Sequence, residues 1–395
     1  MQNIFIEKPY RFLRPVMPKW LPWLMNNRLV HWPLLRFTES IVSVESHGVD
    51  RLRQSLDADH AIMMIGNHPR VSDPVVMYDL IRKADTTMFA MASWHLFNQN
   101  WFNTAVLRLY GAYSVNREGF DREAINFSVD SMVRNVRPVL MFPEGATTRT
   151  NDSLMPFLEG PTFIARTVSR RRHKQNLKTV IHPVSIRYQF LGDFQQELSQ
   201  IMEQVEQILG VSNGEKLAPA QRVLQALDAF TLRKETEFGV APDQNLSSFD
   251  RRQRLVDEVM KQAELRCFGE ASEKNITNRI RDVRAEVFPV LLEDKTLSQA
   301  QREIHWQDLE RTYFAWLMAC YPRDYLAGEP SNDRILEIAV KILEDLTDKP
   351  HKHGKQKVVI ECGEAIEVPP KKSRGHDPLA DEIANSLSAM SNRAP

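Results

Sequence analysis

The sequence predicts an α/β fold, a mostly parallel sheet flanked by helices, with a large all-helical insertion. Three observations predict it. Short apolar runs alternate with helix-spaced segments between residues 40 and 192, only helical spacing runs from 194 to 349, and strand character returns at 358–368. Alternating strands and helices imply a parallel sheet covered by helices. A late strand after a helical excursion reads either as the end of an interrupted α/β domain or as the hairpin of a separate second domain.

The elements follow in order. Residues 40–53 read as a strand and the start of a helix. Ala61-Ile62-Met63-Met64-Ile65 is a continuous apolar run closed by Gly66-Asn67-His68-Pro69, the pattern of a buried strand ending in a turn. Asp73-Pro74 supplies an N-cap acid and a first-turn proline for a helix over 74–83. A strand is expected at 86–92, a helix at 96–109, an extended piece at 111–115 and a helix at 121–136. Val139-Leu140-Met141-Phe142 is another buried strand, ending in Pro143-Glu144-Gly145. A helix at 160–171 and a strand at 180–188 complete the repeat. Helical spacing then covers 196–209, 219–235, 248–267, 275–292, 299–319 and 332–347. Residues 371–395 are polar and read as a flexible tail.

With 395 residues the chain has room for two or three domain-sized units, or for one α/β domain with a large insertion. Five segments are expected: a basic aromatic arm at 1–38, the α/β domain at 39–192, the helical insertion at 193–352, the closing strands at 353–370 and the tail. The net charge is zero, which excludes the overall basic excess of a nucleic-acid binder. Residues 1–190 nevertheless hold 24 Lys and Arg against 16 Asp and Glu, whereas residues 191–350 hold 20 against 29. This asymmetry fits an anionic partner for the first half, and equally two solvated surfaces. Cys267, Cys320 and Cys362 are too scattered for a disulfide framework or a zinc site. No apolar run is long enough to span a bilayer. The arm instead combines Lys8, Arg11, Arg14, Lys19, Arg28 and Arg36 with Phe5, Tyr10, Phe12, Trp20, Trp23, Trp32 and Phe37. Basic side chains attract anionic headgroups and Trp favours the interface, so the arm reads as a membrane-surface element. Its other reading is packing of these aromatics on the domain.

Two strand-end turns carry candidate chemistry. In Asn67-His68-Pro69-Arg70-Val71-Ser72-Asp73, a His and an Asp stand five residues apart across a turn that enters a helix. A hydroxyl attacking a thioester needs a base, and a carboxylate on the far ring nitrogen fixes its tautomer. Alone, the pair reads more readily as a turn His and a capping Asp. In Phe142-Pro143-Glu144-Gly145-Ala146-Thr147-Thr148-Arg149, Pro and Gly shape a tight loop, and Glu144 and Arg149 are candidate holders of a hydroxyl or phosphate. The basic run Arg170 to Lys174 suits a helix C-terminus, and His95 suits packing. There is no P-loop, Gly-x-Ser-x-Gly elbow or His-Glu-x-x-His.

Together these turns resemble the glycerolipid acyltransferase family, the lysophosphatidate acyltransferase-like enzymes with a His-x4-Asp motif. Asn67, His68 and Asp73 match its first motif, Gly111 to Gly119 its second, Phe142 to Gly145 its third, and Val180-Ile181-His182-Pro183-Val184 its fourth. Ile360 to Val368 is similar to the strand that often closes this domain. The resemblance covers about 40–190 and 356–369, and it implies roles. His68 is the general base and Asp73 orients it. Arg117 and Arg149 receive the acceptor's phosphate, Glu144 and Gly145 shape the acceptor pocket beside Asn67, and Pro183 helps build the donor side. The donor is acyl-CoA or acyl-acyl carrier protein, and the acceptor a lysophospholipid or glycerol-phosphate-type hydroxyl. No metal, other cofactor or nucleic acid is implied, and the location is the cytoplasmic face of a membrane. Two departures stand out. Family members acting on lysophosphatidate carry Phe-Pro-Glu-Gly-Thr-Arg, whereas Ala146, Thr147 and Thr148 here push the Arg further along. The helical insertion is the second, with acceptor recognition, partner binding and self-association as its candidate uses. A catalytically idle lipid-binding scaffold and an acyl-thioester hydrolase are the alternative functions.

Overall fold

The computed structural model describes residues 10–391 except 19, 21–32, 34, 38, 212–215, 353 and 372–377. The chain divides into two compact units: residues 1–2, 148–153 and 190–355, and residues 3–147, 154–189 and 356–395.

The α/β unit is built on β1 (Ile41–His47), β2 (Ala61–Gly66), β3 (Phe89–Ser93), β4 (Ala112–Val115), β5 (Val139–Met141), β6 (Thr179–Phe190), β7 (Gln356–Cys362) and β8 (Ile366–Glu367). The sheet order is β1-β7-β6-β2-β5-β3-β4, with β8 antiparallel to β6. The pairs β1–β7, β2–β6, β2–β5, β5–β3 and β3–β4 are parallel. The expected fold class, a mostly parallel sheet flanked by helices, is therefore what the chain forms. The last strands do not extend an edge. β7 enters between β1 and β6, so the sheet is completed by chain that follows all the helices of the other unit.

Strand β2 shows why the sheet is covered on both sides, since all six of its residues are buried. With a period of two, Ile62 and Met64 join one apolar cluster, with Leu140, Val180 and Ile360. Ala61, Met63 and Ile65 join the other, with Val139, Met141 and Ile181. Helices α1 (Val49–Asp57), α2 (Asp73–Val76), α3 (Tyr78–Lys83), α4 (Trp94–Phe97), α5 (Trp101–Leu109), α6 (Arg122–Val133) and α7 (Gly160–His173) connect the strands. Two expected helices are each broken in two. The 74–83 segment divides at Met77, and the 96–109 segment divides at 98–100, where Asn100 accepts a hydrogen bond from the Asn103 amide at 2.7 Å and starts α5 afresh. Asp121 caps α6 in the same way through the Ala124 amide.

The other unit contains α8 (Phe194–Leu209), α9 (Pro219–Glu237), α10 (Ser248–Phe268), α11 (Ile276–Glu293), α12 (Gln299–Ala319) and α13 (Asn332–Thr347). Their bounds lie within two residues of those expected at every end. Asp193, Ser247, Asn275, Ser298 and Ser331 each cap a start.

The tail requires a correction. Pro378–Ser391 is a helix, α14, and Leu379, Ile383, Leu387 and Met390 are buried in the cluster around Ile181 and Val368. One apolar residue per turn suffices to dock a helix whose other faces are polar, and that overall polarity is what reads as disorder.

The arm divides between its two readings. Tyr10 donates to Asp121, and the Phe12 ring packs on Tyr113 and Phe127 at 6.4 and 5.8 Å. The Ser114 amide donates to the Leu13 carbonyl at 3.1 Å, and the Leu13 amide to Ser114 Oγ at 2.8 Å. The arm thereby covers β4, the edge strand. Trp20 and Phe37 are exposed. Phe5, Lys8, Lys19, Trp23, Arg28 and Trp32 lie outside the described residues.

Candidate active site

Because β2, β3, β4 and β5 run parallel, their carboxyl ends share one edge of the sheet, where functional side chains gather in open α/β folds. Gly66 ends β2 under the Phe142 ring; a Cβ there would stand 3.1 Å from Phe142 Cε1. Asn67 is fixed rather than free. Its Nδ2 donates to the Ile186 carbonyl at 3.0 Å and its Oδ1 accepts the Ile186 amide at 2.7 Å, so its side chain prolongs the pairing to β6 by one step. His68 then projects with its ring stacked on Phe142, centroids 4.1 Å apart.

His68 Nδ1 lies 2.7 Å from Asp73 Oδ2. The intervening turn is held by the same carboxylate, because the Arg70 amide donates to Oδ2 at 2.9 Å. Tyr188, at the end of β6, donates its hydroxyl to Oδ1 at 2.7 Å. Asp73 is wholly buried, while the His68 side chain keeps 16% of its surface in solvent. An ionised Asp73 can only accept, so it places the imidazole proton on Nδ1 and leaves Nε2 a lone pair. Among the described residues Nε2 has no hydrogen-bond partner. A buried carboxylate, an oriented imidazole and an accessible Nε2 have the geometry that a general base requires.

Glu144 joins this turn to the next. Its Oε1 accepts the His68 amide at 3.1 Å and its Oε2 the Met155 amide at 2.7 Å. Burial pushes its carboxyl up to about 8, against the backbone hydrogen bonds, which favour the ionised form. A folded-state value above the unfolded one gives stability that is fully present below the unfolded value and lost as pH rises through about 8. Glu144→Gln removes that titration. The parent is therefore expected to lose stability relative to the variant between pH 5 and pH 8.5, as urea midpoints at the two pH values would show; a constant gap would contradict this.

Gly145 has φ +78°, so the backbone there favours glycine; a Cβ would lie 2.9 Å from Leu158 Cδ1, the movable end of a side chain. Its carbonyl accepts from the half-buried Arg117 guanidinium. Asn67, His68, Asp73, Arg117, Glu144 and Gly145 thus form one connected set. Pro183 stands apart, buried within β6 opposite Ile65, with its carbonyl accepting the Gly363 amide at 2.7 Å. Arg149 belongs to the helical unit, where its Nε lies 3.2 Å from Glu344 and its Nη1 2.6 Å from Asp345. The phosphate contact expected of it competes with two carboxylates already in place. His95 is buried, with Nε2 3.3 Å from Glu118.

Tyr188 escapes notice in the sequence, as does the stacking role of Phe142. The one available signal for Tyr188 is its place, a polar aromatic at the carboxyl end of a buried strand.

The Acyltransferase family model matches residues 43–187, from within β1 to within β6; the match contains Asn67, His68, Asp73, Arg117, Glu144, Gly145, Arg149 and Pro183, and Tyr188 follows it by one position. Neither a curated protein nor a solved structure matches the chain. The resemblance read from the motifs is borne out over this segment: residues 43–187 match the acyltransferase family, and the match supports a general acyltransferase activity.

Proposed function

We propose that the protein moves a fatty-acyl group from acyl-CoA or acyl-acyl carrier protein to a hydroxyl of a lysophospholipid or glycerol-phosphate-type acceptor, with His68 as general base. The observation that carries this reading is the 2.7 Å contact between His68 Nδ1 and the buried Asp73, with Nε2 turned to solvent. Nε2 takes the acceptor's hydroxyl proton as the oxygen attacks the thioester carbonyl. The tetrahedral intermediate collapses with cleavage of the C–S bond, and the imidazolium returns the proton to the departing thiolate. Asp73 stabilises the imidazolium formed between these steps. Arg117, which fixes the Glu144–Gly145 turn through the Gly145 carbonyl, is the cation offered to an acceptor phosphate. No metal takes part in these steps.

The proposed location of the reaction is the cytoplasmic face of a membrane. No helix among the described residues is long and apolar enough to cross one. The exposed Arg11, Arg14 and Trp20 of the arm support peripheral attachment.

Purified protein given acyl-CoA or acyl-carrier protein with a panel of lysolipids is expected to form the diacyl product. Thioester loss that is indifferent to acceptor would instead identify a hydrolase. Tyr188 acts as a positioning residue through its hydrogen bond to Asp73. Tyr188→Phe is expected to lower kcat about tenfold, the worth of one hydrogen bond to a charged group, with KM unchanged. A KM effect without a kcat effect would contradict this positioning role.

A further inference from the structure

We propose that Tyr10 is a positioning residue for the acceptor's phosphate, acting through Asp121 on the loop that presents Arg117. The inference rests on the reading of Arg117 as the phosphate cation, and it gives the arm a part in acceptor recognition. Arg117 sits on a loop, residues 116–121, that leaves β4, the last strand in the sheet order. A loop leaving an edge strand has a neighbouring strand on one side only. On that side Glu118, 4% exposed, accepts from Trp94 Nε1 at 3.4 Å and lies 3.3 Å from His95 Nε2, both at the start of α4. The arm supplies the second anchor. The Tyr10 hydroxyl donates to Asp121 Oδ2, and the same oxygen accepts the Asn116 amide at 2.8 Å. Asn116 Oδ1 then accepts the Glu118 amide at 3.1 Å. Both chain neighbours of Arg117 are thus bonded, one of them to the carboxylate that Tyr10 holds. The Tyr10 and Trp94 rings meet edge to face, centroids 5.8 Å apart, so the two anchors form one cluster. From this loop the Arg117 guanidinium reaches the Gly145 carbonyl.

The Tyr10 hydroxyl is not what fastens the arm. The Ser114 amide donates to the Leu13 carbonyl at 3.1 Å, the Leu13 amide to Ser114 Oγ at 2.8 Å, and the Val16 amide to the Arg108 carbonyl at 2.9 Å. Nor does the hydroxyl cap α6, since Asp121 Oδ1 accepts the Ala124 amide at 2.9 Å. What it adds is a third donor on a carboxylate that is 7% exposed and from which the backbone beside Arg117 hangs. Burial first, and then Asp121, push the phenol well above its ordinary value, so it stays a donor near neutral pH. A guanidinium at the end of a long side chain has to be aimed. A shift of about 1 Å in its supporting backbone is enough to spoil a charge-assisted contact with phosphate.

The test is calorimetric binding of octanoyl lysophosphatidate, and of octanoyl glycerol as its phosphate-free counterpart, to the full chain without a donor. The parent is expected to bind the phosphate-bearing ligand more tightly. Tyr10→Phe, which keeps the ring on Trp94, is expected to weaken that ligand about fivefold and to leave octanoyl glycerol unchanged. The effect is smaller than the loss of a whole hydrogen bond to a charged group, because two amides stay on Asp121. In turnover with lysophosphatidate, KM should rise by the same factor while kcat holds. Asp121→Asn keeps one capping oxygen and withdraws the other. It is expected to act in the same direction, and keeps the test alive if Tyr10→Phe unsettles the arm. Arg117→Met reads the underlying assignment and is expected to erase the preference for phosphate. Loss of the preference in Arg117→Met, beside parental affinity in Tyr10→Phe and Asp121→Asn, would overturn the inference and leave the phosphate reading standing. Equal weakening of both ligands by Tyr10→Phe would make the residue structural only and would overturn it too. A parental preference in Arg117→Met would remove the cation assignment, and the inference with it.

Discussion

His68→Ala is expected to lower kcat for acyl transfer about 10³-fold, the middle of the range for losing a general base, with the fold intact. The fold survives because the side chain is partly exposed and its ring contact is a stack on Phe142. The Glu144 carboxylate binds the His68 amide, not the ring, so alanine keeps the link between the two turns. What disappears is the imidazole, and with its Nε2 the proton acceptor that makes a hydroxyl nucleophilic near neutral pH. Residual turnover comes from holding donor and acceptor together. Initial rates with a saturating lysolipid and acyl-CoA, beside urea midpoints for parent and variant, separate the chemical loss from a folding loss. A well-folded variant working within a few-fold of the parent sinks the proposed mechanism.

The sequence reveals those parts of this arrangement whose causes are local. β2 announces itself as five apolar residues before a Gly-Asn-His-Pro turn. The His68–Asp73 contact spans five residues and is anticipated by the Asp-Pro helix start. The six long helices of the other unit show their period. What escapes has causes far along the chain. Tyr188 reaches Asp73 across 115 positions, and no spacing rule links a strand-end tyrosine to a helix-start aspartate. The breaks at Met77 and Asn98–Asn100 are decided by how the segments pack, not by period, which continues through both. Helix α14 hides because its four buried residues are a minority within a polar stretch. Phe12 and Tyr10 look like interfacial aromatics until their partners on β4 and α6 are in place. Arg149 has a motif position that suggests a ligand, while its partners lie about two hundred residues away, Asp345 being 196 positions distant.

That last residue carries the second large expectation. Arg149→Ala is expected to destabilise the helical unit by about 3 kcal/mol, the low end for breaking a buried ion pair. Asp345 is wholly buried and is held by Arg149 at 2.6 Å, Lys341 at 2.9 Å and the Tyr321 hydroxyl at 2.8 Å. Glu344 is the second carboxylate on the same guanidinium. The rest of the 148–153 segment is tied to α13 by Asp152 to Arg334 at 2.9 Å and by the Asn151 amide to Glu337 at 3.3 Å. Removing Arg149 leaves two adjacent carboxylates with Lys341 as the one remaining cation on Asp345, a desolvated excess of negative charge. With a urea slope of about 3 kcal/mol/M, the midpoint should fall by about 1 M. Glu344→Gln on top of Arg149→Ala removes one uncompensated charge and is expected to recover part of the loss, because paired partners are not additive. An Arg149→Ala midpoint within 0.2 M of the parent's would mean that the guanidinium is not structural. The phosphate contact implied by its motif would then regain its claim, since an arginine that contributes nothing to the fold is available to a ligand.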